Sequence, residues 1–238
     1  MSYTAKHTSH PVAARVAVVG PCLTAGLAIV CGGVAWLFNS VVGGVSLVLG
    51  FTTAAALVLA ADRVRRLTRW TVSAGVVTLA ALPVALLSVS LAIAVSRFDP
   101  RNWLCAGLAF AALAAALWRR AVTQSDARWA AKSWANEHEV LDLDSGTYDL
   151  SRHFQLGESG HSRSAMWLDR WAPALGPSVI ALFAGAGRHG LGDIRATFLL
   201  CAGPTVFLLF LPPVAQGVVS YQKVREYELR LGRELVNR

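Results

Sequence analysis

The sequence predicts an all-α integral membrane protein with about six transmembrane helices in three hairpins. A small cytoplasmic module, an amphipathic helix plus a short β-hairpin, is expected between spans 4 and 5. Three observations carry this reading. Of the 238 residues, 55% are hydrophobic and only 15% are charged, against roughly 25% charged in an ordinary soluble domain. Long uncharged runs alternate with short arginine clusters, the pattern imposed where a charge at the bilayer centre costs at least a few kcal/mol. Tryptophans collect at the ends of the apolar runs, where the water–lipid boundary favours them.

The elements follow in order. Residues 1–11 form an N-terminal tail. A helix crosses the hydrocarbon core with about 20 apolar residues, and Val12–Phe38 supplies them, with Arg15 near its start. That run exceeds the roughly 7–15-residue apolar core of a secretory signal, so it is read as a retained anchor. Asn39 and Ser40 make a tight turn into the second span, Val41–Ala61. The third is Trp70–Val95, with Pro83 expected to kink it. The fourth, Trp103–Trp118, completes a four-helix region over residues 12–118.

Residues 119–172 are the polar loop module. Its first part, Arg119 to about His138, reads as a helix continuing the fourth span. Trp118, Val122 and Trp129 fall on one side of it, with Arg128 and Lys132 free to snorkel, as in interfacial helices. Val140–Leu150 alternates apolar and acidic residues around Asp144-Ser145-Gly146, the pattern of a hairpin. A lone hairpin is marginal in water, so this one needs a cover. The fifth span, Trp171–Gly187, is short and carries Pro173, Gly176 and Pro177. The sixth, Ile194–Val219, contains Pro204, Pro212 and Pro213 and is expected to bend or break. Residues 173–219 thus read as a hairpin of proline-broken helices, and residues 220–238 as a cytoplasmic amphipathic helix. In that last segment Val224, Tyr227, Leu231 and Leu235 form an apolar stripe, and Glu226–Arg230 is a favourable i, i+4 pair.

Charge fixes the expected orientation. With the N-terminus inside, the N-tail, the 2–3 loop, the 4–5 loop and the C-tail hold 2, 4, 7 and 5 Lys and Arg, counting Arg15 with the tail. The three outside loops hold 0, 2 and 2. Positive residues favour the cytoplasmic side, so both termini are expected in the cytoplasm, across a plasma or bacterial inner membrane. Without the fifth span the five C-tail charges would lie outside, so the charge pattern supports that span. Trp36, Trp70, Trp103, Trp118, Trp167 and Trp171 mark span ends, while Trp129 and Trp134 lie in the loop. The net charge of +8 follows from topology, and no specific nucleic-acid binding is expected.

Motifs for chemistry are weak. Cys22 and Cys31 share one helix about 13 Å apart along its axis, too far for a disulfide. Asp142, Asp144 and Gly146 lack the further oxygen ligands of a calcium loop. Glu137, His138, Glu139, His153 and His161 lack the His–His spacing of a zinc helix. Gly157–Gly160 departs from the GxSxG turn of serine hydrolases. The glycine-rich 5–6 loop, with Arg188, His189 and Arg195, reads as a flexible connection. No ionisable residue falls near the middle of a span, against a proton-coupled pump. No catalytic residue, metal site or cofactor is assigned.

The expected function is therefore a non-catalytic membrane subunit that anchors a cytoplasmic docking module, within a larger envelope assembly of the secretion or conjugation kind. Trp129, Trp134, Arg128, Lys132, Tyr148, Tyr227, Leu231 and Leu235 are its candidate contacts with membrane lipid, a protein partner or a second copy. Gly107, Ala111 and Ala115 form a small-residue face on the fourth span, suited to close helix packing, and Gly50, Ala54 and Ala56–Ala60 do something similar on the second. A facilitative channel or uncoupled transporter is the first alternative, motivated by the broken helices. A membrane-surface enzyme acting on lipid, through Glu137, His138, Asp142 or His153, is the second.

Overall fold

The structure is a computed structural model, and it describes residues 11–97, 99–142, 147–148 and 194–237. Within these residues, five helical stretches are long and apolar enough to cross a membrane: Val12–Phe38, Ser40–Leu59, Thr68–Arg97, Leu104–Ala127 and Leu200–Leu231. The chain is an integral membrane protein of helical type. The fifth span expected over Trp171–Gly187 lies outside the described residues.

The first span is built from α1 (Pro11–Leu27), a π-helical turn (Ala28–Gly32) and α2 (Gly33–Phe38). The wider turn brings Ala28, Cys31 and Gly32 inward together. Asn39, alone in extended conformation, separates α2 from α3 (Ser40–Leu59). Its side chain accepts the Val41 and Val42 N–H groups, both at 3.1 Å, so the exposed donors of a helix start are capped by one residue. The hairpin then closes on glycine: a Cβ at Gly50 would overlap Ala28. Buried Ala54 continues the same face, whereas Ala56 is exposed and Ala60 half-buried, so only part of the expected small-residue set packs.

After Ala60 the chain forms a short helix, α4 (Ala61–Arg66), and turns at Leu67 into α5 (Thr68–Arg97). α5 runs through Pro83 and packs against α1, α2 and α3 on one side and α7 (Ile194–Leu231) on the other. α6 (Pro100–Val140) reaches the bundle chiefly through α7. It is unbroken at Trp118–Arg119, so the fourth span and the first part of the loop are one rod of about 60 Å at 1.5 Å per residue.

Buried contacts set the directions. Leu200 packs on Cys31, Ala35, Val89, Ala92 and Ile93, while Val224 packs on Ala13 and Val72. α7 is therefore antiparallel to α5. Phe110 meets Phe207 with centroids 5.7 Å apart, and Asp126 meets Lys223 at 3.3 Å, so α6 and α7 run parallel. One end of the bundle, here called proximal, gathers the start of α1, α4, the start of α5 and the end of α7. The distal end carries Asn39 and the start of α7.

Two expectations need correction. The sixth span is not broken: α7 is continuous with Pro204, Pro212 and Pro213 inside it. Neighbouring helices support backbone that proline frees in a membrane helix, and here the contact with α5 is intimate. A Cβ at Gly203 would fall 2.5 Å from the Leu86 carbonyl oxygen, so α5 braces α7 one residue before Pro204. Nor is the C-tail a helix over residues 220–238. It stops at Leu231, because Gly232 takes φ +63°, the left-handed conformation that ends helices. The chain then reverses into a two-residue strand.

Candidate functional site

Helix ends leave backbone N–H and C=O groups without partners, and the proximal end concentrates three such ends. α4 ends at Arg66, α5 begins at Thr68, and α7 ends at Leu231. The returning tail supplies partners to the first two and ties itself to the third through the Glu228 side chain. Asn237 Nδ2 donates to the carbonyls of Val64 and Arg65, each at 3.3 Å, and to Thr71 Oγ1 at 2.8 Å. Thr71 Oγ1 in turn donates to the Val64 carbonyl. The Thr68 N–H donates to the Leu235 carbonyl at 3.0 Å. The Leu235 N–H donates back to Glu228 Oε1 at 3.2 Å.

Charge completes this latch. Arg69 lies 3.3 Å from both Glu228 and Glu234. Glu228 is 7% exposed, and a buried carboxylate needs a partner. Its contact with Arg69 is electrostatic: Oε2 receives no hydrogen bond. Thr68 Oγ1 and Asn237 Oδ1 are likewise buried without hydrogen-bond partners, so three such oxygens fall in one small region. Beside the latch, Lys223 bridges Asp126 of α6 and Glu226 of its own helix, at 3.3 Å each. Arg63 stacks over Trp70 with its Cζ 5.2 Å from the ring centroid.

Three short strands adjoin the latch. β1 (Leu141–Asp142) pairs antiparallel with β2 (Thr147–Tyr148), in the register Leu141 to Tyr148 that a hairpin requires. β2 pairs in parallel with β3 (Val236–Asn237), and Val236 also bridges to Leu67. The cover that the hairpin needs includes the C-terminal strand.

The expected contact residues divide into three groups. Tyr227, Leu231 and Leu235 pack inward with Ala13, Val72 and Val224, and Leu235 is fully buried. The starts of α1 and α5 lie against this stripe, which leaves Tyr227 and Leu231 half-buried. Tyr148 lies in β2, facing Leu141 and Asn237 in register. Arg128, Trp129, Lys132 and Trp134 belong to α6, as do Glu137, His138 and Glu139; their side chains lie outside the described residues. So do His153, His161, Gly157–Gly160 and the Arg188–His189 loop. On the fourth span, Gly107, Ala111 and Ala115 are exposed, and no described atom would meet a Cβ at Gly107 within 4 Å. That face makes no close packing among the described residues.

Sequence reasoning missed Asn237, Glu228, Arg69 and Thr71. Gly232 after the apolar stripe was the available signal, since glycine just past a periodic segment marks a helix stop. Glu228 is engaged by Arg69 and by the Leu235 N–H. Among the described residues no group of three or more His, Cys, Asp or Glu is placed to hold a metal.

Comparison with protein family models, with curated proteins and with solved structures finds no match to this chain.

Proposed function

We propose that the chain is a non-catalytic membrane subunit whose proximal end is a cytoplasmic docking platform within a larger envelope assembly. The observation that carries this reading is the latch. One tail caps the 2–3 turn, pairs with the β1–β2 strands and buries Leu235, so the turn, these strands and the end of α7 are held together. Rigid, pre-ordered surfaces lose less entropy on binding a partner. The channel reading drew on proline-broken fifth and sixth spans; α7 runs through its prolines without interruption, which takes away the support from the sixth, while the fifth lies outside the described residues.

The same reading has six crossings and both termini in the cytoplasm. Two facts support it. Lys and Arg concentrate in the segments assigned inside. In addition, β2 pairs with β3 at the proximal end, whereas α7 starts at the distal end. With β2 and the start of α7 at opposite ends of the bundle, this placement supports the reading of a further crossing between them.

Purification in mild detergent, with mass spectrometry of what stays bound, tests the proposal. A stable partner or a defined homo-oligomer is expected, joined by crosslinks from proximal positions such as Leu229. A monomer without such crosslinks in cells contradicts it.

A further inference from the structure

The arginine turn at the proximal end carries a surface of its own. On α4, Asp62, Arg63, Arg65 and Arg66 are exposed, while Val64 is 1% exposed. Val64 is held in a cluster with Ala17, Leu57 and Ala74, which fixes the outward face of this short helix. Asn237 holds the turn again through the Val64 and Arg65 carbonyls.

Depth is marked from both sides. Just before the turn, Val58 and Leu59 are 59% and 87% exposed; in a membrane protein these side chains face hydrocarbon. Trp70, stacked with Arg63, belongs to the residue type that prefers the headgroup boundary. Three guanidiniums and one carboxylate therefore stand at headgroup depth beside lipid-facing side chains. Arg69 is engaged by Glu228 and Glu234, but among the described residues Arg65 and Arg66 have no acidic partner within salt-bridge distance. Guanidinium matches phosphate oxygens in a bidentate fork.

We infer that Arg63, Arg65 and Arg66 form a headgroup site for an anionic phospholipid. Trp70 is its apolar wall, Val58 and Leu59 lie along the acyl chain, and Asn237 is a positioning residue that holds the turn. A zwitterionic lipid presents the same phosphate, but its ammonium opposes the cluster.

The full-length chain in detergent micelles, titrated with phosphatidylglycerol, phosphatidylcholine or inorganic phosphate, tests this by lipid retention in native mass spectrometry and by thermal shift. Phosphatidylglycerol is expected to bind at least about tenfold more tightly than phosphatidylcholine, and Arg65→Gln/Arg66→Gln to remove about tenfold of that affinity. The charge-matched control Arg97→Gln/Arg225→Gln keeps parental affinity. Asn237→Ala weakens retention with all three arginines present; unchanged retention overturns its positioning role. Parental affinity in the double arginine variant, an equal loss in the control, or stabilisation by inorganic phosphate equal to that by phosphatidylglycerol overturns the lipid site.

Discussion

Asn237 donates its amide to Thr71 Oγ1 at 2.8 Å, across 166 positions of sequence. The same amide caps the Val64 and Arg65 carbonyls, so one side chain near the end of the chain closes the turn between two membrane helices. Asn237→Asp keeps the shape and removes the donor. A buried acceptor left unpaired costs about 1–3 kcal/mol. Thermal unfolding in detergent is expected to show a loss of that size for Asn237→Asp and Asn237→Ala alike; a variant as stable as the parent contradicts the latch.

Glu228 and Arg69 give a second test. Arg69→Met strands a buried carboxylate, which costs about 3–5 kcal/mol when a pair is fully buried. Arg69 is 31% exposed, so screening by water reduces the expected loss to about 1–2 kcal/mol. Glu228→Gln in the Arg69→Met background is expected to recover part of it, because glutamine still accepts the Leu235 N–H. A double-mutant cycle in chemical unfolding reads the coupling, and strict additivity of the two changes refutes the pair.

Helix contacts predict opposite outcomes for two glycines. Gly203 meets the α5 backbone, so Gly203→Val overpacks that contact and is expected to cost about 1–3 kcal/mol. Gly107 has no described neighbour to clash with, so Gly107→Val is expected to stay within about 0.5 kcal/mol of the parent. Both values come from thermal unfolding of the purified chain. Equal losses would contradict the exposed placement of the Gly107, Ala111 and Ala115 face.

Gly232 tests the helix stop. With φ at +63°, a Cβ costs roughly 1–2 kcal/mol, so Gly232→Ala is expected to loosen the tail by about that amount. Faster amide exchange at Leu235, whose N–H bonds to Glu228, would register it. Unchanged protection there would show that the tail docks without this turn.

Much of the bundle was legible because hydrophobicity is local information. Val12–Phe38 is the first span in sequence and in structure, and Asn39 announced its own turn by residue type. The latch was not legible, because its partners are distant. Leu235–Asn237 is too short to show strand alternation, and nothing near Asn237 indicates that its amide will cap Val64. The prolines of α7 misled for a related reason. Proline reports the local cost of a missing N–H, while continuity is decided by what packs against the helix, here Gly203 on α5. The stripe of Val224, Tyr227, Leu231 and Leu235 was recognised, but periodicity cannot name its cover, and the chain itself supplies part of it.

The docking proposal requires the 2–3 turn and the C-terminal tail, which meet at the proximal end, to face the cytoplasm, opposite Asn39. Single cysteines at Asn39, Arg65 and Arg233, in a chain whose four native cysteines are replaced, can be labelled in intact cells with a membrane-impermeant maleimide. Asn39→Cys is expected to react from outside, and Arg65→Cys and Arg233→Cys only after permeabilisation. Labelling of Arg65→Cys and Arg233→Cys from opposite sides of the membrane, or of both from outside, would contradict it.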